Sequence, residues 1–263
     1  MIQPLYEKIN YISGVPFVFS RFIREYDISK ANISILYSKG IISEELYNQL
    51  YHSDRMERQI FIGNLQKQNP KIVKALQQGI VEAKKNLFLA NNLSNEDILT
   101  IKNDAVFTID KDLRYTKFGN IEFKLKNLYT SFMRIDRLEF YYSFNRITKE
   151  EKIDVKGLGK KQYLHQDYMT DFIGYIMNSI ESGDIENIIT DFASFYKSYV
   201  NRELPIYYYR EYNPYSYYRI YGTDYCLDYL NNTLDNVMSL DISYNNYILT
   251  CIYKYISSIY MNQ

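Results

Sequence analysis

Between Pro70 and Asn91 the apolar residues Ile72, Val73, Leu76, Ile80, Val81, Ala83, Leu87 and Phe88 recur at intervals of three and four, with Lys71, Lys74, Glu82, Lys84 and Lys85 between them. That spacing gathers the apolar set on one stripe of an α-helix and leaves the charged residues in water. Gly79 falls inside this helix and lowers its propensity by ~1 kcal/mol relative to Ala, which tertiary packing can override. Two shorter helices precede it. Ser43-Glu44-Glu45 opens one with a capping hydroxyl and acidic residues in the first turn, turns Leu46, Leu50 and Tyr47 inward, and ends near His52. Asp54 opens the next, with Met56, Ile60 and Leu65 on one side and Arg55 and Arg58 elsewhere.

Elsewhere the period shortens to two. Pro4, Gly14 and Pro16 mark turns before the alternating Val15, Phe17 and Phe19, a short strand. Arg21 to Leu36 reads as a strand running into a helix at Asp27–Ser29, with Ser29 as the cap. Ile98 to Ile109 is rich in β-branched residues and fits either one long strand or a hairpin turning at Lys102 to Ala105, where Asn103 and Asp104 tolerate a left-handed turn. Asp110-Lys111-Asp112 and Gly119-Asn120 then separate three strand-like runs, 121–125, 128–135 and 138–144, which predict an antiparallel meander. The charged, glycine-punctuated stretch from Lys149 to Lys161 reads as a connection. Beyond it, helices are predicted over 162–182, 184–201, 224–238 and 243–261, with Pro205 and Pro214 bracketing an irregular segment. The fold class is α+β: an N-terminal strand-helix region, a central antiparallel β-meander and a C-terminal helical cluster, divided into residues 1–148 and 149–263.

Composition narrows the function classes. Hydrophobic residues make up 46% of the 263 and charged residues 24%, so the chain has the apolar surface to fold. Lys plus Arg equals Asp plus Glu at 31 each, which removes the broad positive field that makes nucleic-acid binding a default and leaves only local basic patches. The two cysteines, Cys226 and Cys251, form no Cys-x-x-Cys pair, which argues against a zinc site or a disulfide scaffold and points to a reducing compartment. No run approaches the ~18–20 apolar residues that cross a bilayer, and Glu7 and Lys8 precede any apolar run, so no membrane association and a cytoplasmic location are expected. Thirty tyrosines, no tryptophan and abundant Ile, Asn and Lys are the usage of AT-rich coding.

The candidate chemistry lies in the two stretches that each set one carboxylate among apolar residues, Tyr26-Asp27-Ile28 and Asn103-Asp104-Ala105. Two-metal phosphoryl transfer draws carboxylates from different elements to ions ~3.5–4 Å apart, and magnesium suits such a site because it takes oxygen ligands and keeps water. Helix capping and turn formation are the structural uses of the same two residues.

Asp27-Ile28-Ser29-Lys30-Ala31 resembles motif A of the DNA polymerase palm, where an aspartate follows a strand and a short polar-apolar run enters a helix. Asp104-Ala105-Val106-Phe107-Thr108 is similar to motif C, which reads Asp-Ser-Ile-Phe-Val in family B and His-Asp-Glu followed by apolar residues in family A. The resemblance implies that Asp27 and Asp104 are catalytic, metal-binding carboxylates for Mg2+. The implied activity is metal-dependent nucleotidyl transfer on DNA or RNA with a nucleoside triphosphate, by a reduced or split palm. Arg55, Arg58 and Lys67 on the intervening helices would meet triphosphate. Asn103 stands where family A has His, and Lys102, a candidate nucleotide contact, stands where family B has its other aspartate. The residue usage resembles that of proteins from AT-rich bacteriophages, so a phage protein acting in the bacterial host cytoplasm is expected.

A second reading is a non-catalytic adaptor of a larger complex. Residues 206–221 interleave aromatics with Arg210 and Arg219, and Tyr209 with these two cations makes a surface on which bases stack or protein partners dock. His165 opens a predicted helix and has only His52 as a fellow histidine, which leaves no histidine metal cluster. Gly157-Leu158-Gly159-Lys160-Lys161 lacks P-loop spacing.

Overall fold

The computed structural model describes residues 3–135, 138–145, 147–148, 150–157, 174–181, 185–201, 203, 217–220 and 223–226. In chain order the elements are β1 (Asn10–Ile12), β2 (Phe17–Val18), β3 (Ile23–Ile28), α1 (Ala31–Ser38), α2 (Glu44–His52), α3 (Arg55–Gln68) and α4 (Lys71–Ala90). There follow β4 (Ile98–Lys102), β5 (Ala105–Ile109), β6 (Lys117–Phe118), β7 (Ile121–Tyr129), β8 (Ser131–Ile135), β9 (Leu138–Phe144) and β10 (Glu151–Lys156). The helix α5 over 174–181, α6 (Ile185–Val200), β11 (Tyr217–Ile220) and β12 (Thr223–Cys226) complete the described set. The protein is α+β. Two compact units divide it: Met1–Val15 with Arg21–Tyr129, and Pro16–Ser20 with Thr130–Gln263.

In the first unit six antiparallel strands lie in the order β1-β4-β5-β3-β7-β6. Since β5 runs antiparallel to both β3 and β4, those two are parallel to each other, and α1 to α4 form the crossover between them. This is a split β-α-β unit with β5 inserted between the two parallel strands. The core lies between the helices and one sheet face: Tyr26 and Ile28 from β3 and Ile101 and Val106 from the hairpin meet Leu36, Ile80 and Leu87. Ser43 and Asp54 cap α2 and α3, their side chains accepting from the amides of Leu46 at 3.3 Å and Glu57 at 2.8 Å. The stretch from Ile98 to Ile109 is a hairpin, and Asn103 takes the left-handed conformation in its turn, with φ +53°.

Several expectations are corrected. Ser29 does not cap α1: the helix is entered through Lys30, in the left-handed region at φ +49°, without a side-chain cap, and the Ser29 carbonyl instead accepts from Ser34 Oγ at 3.0 Å. Met56 and Ile60 do not face the core of α3, which buries Ile62 on another side. On α4 it is Lys84 that is fully buried, whereas Val73 is exposed. The stretch 121–144 is not one meander, because β7 pairs with β3 while β8 and β9 belong to a second sheet, ordered β10-β9-β8-β2. The charged connection contains β10, which pairs with β9 along its whole length. Its side chains alternate so that Lys152 and Asp154 share a face and pair at 3.1 Å, the half-exposed edge strand that charge can occupy.

The helix predicted over 184–201 is α6, and only 174–181 of the stretch 162–182 falls among the described residues, as α5. Thr223 to Cys226 is a strand paired with β11, so Asp224 does not start a helix. The remainder of the predicted helix to 238 and the one over 243–261 lie outside the described residues, as does His165.

Candidate functional site: an acidic pair beside a basic cavity

The topology determines where the two acidic stretches meet. Because β3 and β4 are parallel, both finish at the same end of the sheet, and the β4–β5 turn lies there too. Asp27, next to last in β3, is in register with Ala105, the residue after Asp104. The two carboxyl groups are close enough to interact: burial raises the Asp104 pKa above the ordinary carboxylate value, and the negative charge of Asp27 raises it further. The Lys126 charge and a hydrogen bond from Asn103 Nδ2 at 3.3 Å oppose that rise. A divalent cation relieves this kind of like-charge strain.

Glu25, two residues before Asp27 and so on the same face of β3, is a third carboxylate that the sequence reading missed. Its side chain is 1% exposed, and Oε2 accepts from Asn127 Nδ2 at 2.6 Å and from the Tyr129 hydroxyl at 3.1 Å. Lys126, from β7, reaches both acids: its ammonium lies 3.1 Å from Asp27 Oδ2 and 3.6 Å from Glu25 Oε1. Burial pulls the Lys126 pKa down, but the Asp27 hydrogen bond and the Glu25 charge outweigh it and hold it above the ordinary lysine value. The other oxygen of Asp27, Oδ1, is buried with no hydrogen-bond partner. Asp27 and Glu25 alternate with Tyr26 and Ile28 along β3, so the strand presents acid to one face and core to the other. That i, i+2 spacing was the available signal for Glu25.

Asp104 also lines a cavity of about 300 Å³ between the hairpin turn, the start of α1 and α3. Arg55 and Arg58 from the first turn of α3, with Lys30, make its cationic side, and Ala31, Asn32 and Ile33 bring the first turn of α1 to it. With no side chain capping that helix, its first amides and their dipole favour an anion. Arg58 also donates from Nη1 to the Ser53 carbonyl, and Lys30 to the Tyr51 carbonyl with its ammonium 3.6 Å from the Tyr51 ring centre, so both cations are fixed in place.

The other sequence-derived candidates are dispersed. Lys102 ends β4, one residue before the turn. Lys67 is exposed in the last turn of α3, at the far end of that helix from Arg55. Arg219 lies in β11, whose backbone pairs it with Asp224, and Tyr209 and Arg210 lie outside the described residues. Among the described residues no group of three or more His, Cys, Asp or Glu side chains is arranged to hold a metal ion, so any cation here depends on two carboxylates and on ligands from elsewhere. No helix among the described residues is long and apolar enough to cross a membrane.

Fold and site together define an α+β protein whose split β-α-β unit sets two interacting aspartates beside a cavity lined by Lys30, Arg55 and Arg58. The chain belongs to the bacteriophage PBS1 gene 130 protein family, which matches residues 1–257. No curated protein matches it.

Proposed function

We propose that this phage protein handles nucleic acid as a reduced or split polymerase palm, carrying out metal-dependent nucleotidyl transfer in the host cytoplasm. The observation that supports the reading is the juxtaposition of Asp27 and Asp104, carried by β3 and the β4–β5 turn, next to the cavity lined by Arg55 and Arg58. The donor set fits Mg2+, which is commonly held by one or two carboxylates with water and substrate phosphates completing six oxygens. The buried, unpartnered Oδ1 of Asp27 is an oxygen in need of a cation or donor. Asp27 and Asp104 would hold the ion, which when bound lowers the pKa of an attacking hydroxyl and neutralises charge on the phosphate.

The chain's own residues do the rest. Arg55 and Arg58 offer guanidinium forks to phosphate oxygens, and the first amides of α1 add donors of fixed direction. The partners on this reading are a DNA or RNA strand and a nucleoside triphosphate.

The test is magnesium titration with a labelled primer–template and nucleoside triphosphates, using the full chain and its Asp104→Ala variant. Extension by the wild type that needs Mg2+ and disappears in Asp104→Ala, with unchanged circular dichroism, is the expected result. Extension retained by a folded Asp104→Ala, or none by the wild type with either DNA or RNA, would overturn the proposal.

A further inference from the structure

Lys126 already places a cation against Asp27. Its ammonium is shared between Asp27 Oδ2 at 3.1 Å and Glu25 Oε1 at 3.6 Å. The two acids differ in what else holds them. Glu25 is fully buried and anchored through its other oxygen by Asn127 and Tyr129. Asp27 is partly exposed, at 29%, and among the described residues its side-chain hydrogen bond is with Lys126. Lys126 is itself 54% exposed, so its head group can move without repacking the core.

We propose that Lys126 is a tethered counter-cation with two seats: shared between Glu25 and Asp27 in the unloaded protein, and on Glu25 alone when Asp27 turns to a divalent ion. Lys126 is thus a positioning residue, and Glu25 is the seat that receives it. This inference rests on the metal-binding reading of Asp27 and Asp104. Its physical content is competition. While the ammonium occupies Asp27, the two aspartates and the buried glutamate are partly neutralised, and the turn can sit next to β3 without a metal. A divalent ion must displace that ammonium, and Glu25 lowers the energy of doing so by keeping the ammonium paired.

Direct metal binding to the full chain, followed by the electron paramagnetic resonance signal of free Mn2+, tests this without reference to activity. Lys126→Met removes the competitor and is expected to bind Mn2+ about two- to fivefold more tightly than wild type, the effect of losing one partly exposed ion pair. Glu25→Gln removes the alternative seat and is expected to weaken binding by a similar factor. The distinguishing measurement is the double variant. If Glu25 acts by receiving Lys126, Glu25→Gln loses most of its effect in the Lys126→Met background, whereas a glutamate that acts directly on the metal gives additive changes. Tighter binding in Lys126→Met together with non-additivity supports the proposal. Equal affinity of wild type and Lys126→Met, or additive effects, overturns it while leaving the metal site standing. Lys126→Gln serves as the second variant should Lys126→Met unfold. Absence of Mn2+ binding in every folded variant removes the metal site and this inference with it.

Discussion

Lys84 is a lysine with no exposed surface on a helix that otherwise buries apolar side chains, and its substitution gives a quantitative test of the α4 packing. Its ammonium donates to the Lys8 carbonyl at 2.5 Å. Burial lowers its pKa from 10.5 to about 8, and the Asp104 charge pulls the other way. In the unfolded chain the group returns to its ordinary value, so between pH 8 and 10.5 the unfolded state binds the extra proton. Stability must therefore rise with pH across that window, by up to about 1.4 kcal/mol per unit, and reach a total near 3 kcal/mol. Every other titrating group contributes to the same curve, so the informative quantity is a difference. Urea unfolding of wild type and Lys84→Met, followed by far-ultraviolet circular dichroism at half-unit steps from pH 7 to 10, isolates the one lysine. The wild type should gain on the variant as pH rises, most steeply near pH 9, about midway between the folded and unfolded values. A flat difference curve would show that Lys84 titrates in the folded protein as it does in water, and that its burial in α4 is wrong.

Two further substitutions probe the packing that positions the site. A Cβ at Gly79 would lie 2.2 Å from Ile35 Cγ2 and 3.1 Å from Lys39 Cε, so Gly79→Ala trades ~1 kcal/mol of helix propensity for an overlap that costs about 1–3 kcal/mol. The thermal midpoint should fall by a few degrees, and a rise would mean that α1 and α4 approach less closely than described. Tyr26 is buried with its hydroxyl donating to Asp112 Oδ1 at 2.8 Å and accepting from the Leu113 amide at 3.1 Å. Tyr26→Phe leaves that amide without its acceptor, and denaturant titration should show a loss of about 1–3 kcal/mol; an unchanged midpoint would refute the bond.

Local rules carried the helices and the turn. Ser43 and Asp54 cap because a side-chain oxygen near free amides is a short-range matter, and the Asn103-Asp104 turn follows from which residues tolerate φ above zero. Long-range pairing was not legible. Nothing in 121–144 says that its first strand joins β3 while the next two join another sheet, because period two records which face is buried and not which neighbour is paired. Charge misled twice. By pattern Lys84 belongs in water because lysine is almost never fully buried, and Lys149 to Lys161 reads as a connection because an edge strand such as β10 can be as charged as one. The meeting of Asp27 with Asp104 required the split β-α-β order, whereas Glu25 was within reach of the alternation rule applied one step upstream.

The short strand β2 carries a consequence for biosynthesis. Phe17 and Val18 pair with Met133 and Phe132, so a segment near the start of the chain completes a sheet whose other strands are made more than a hundred residues later. At ~5–20 residues per second the ribosome leaves β2 waiting on the order of ten seconds for its partner. During that interval the first unit can assemble around β3 and the β4–β5 hairpin, without Pro16 to Ser20. The second unit cannot close its sheet until the segment is recaptured. Translation of a fragment ending near Tyr129 would thus release a chain with an unmated strand, and β8 in the complementary fragment would lack the neighbour that covers its edge.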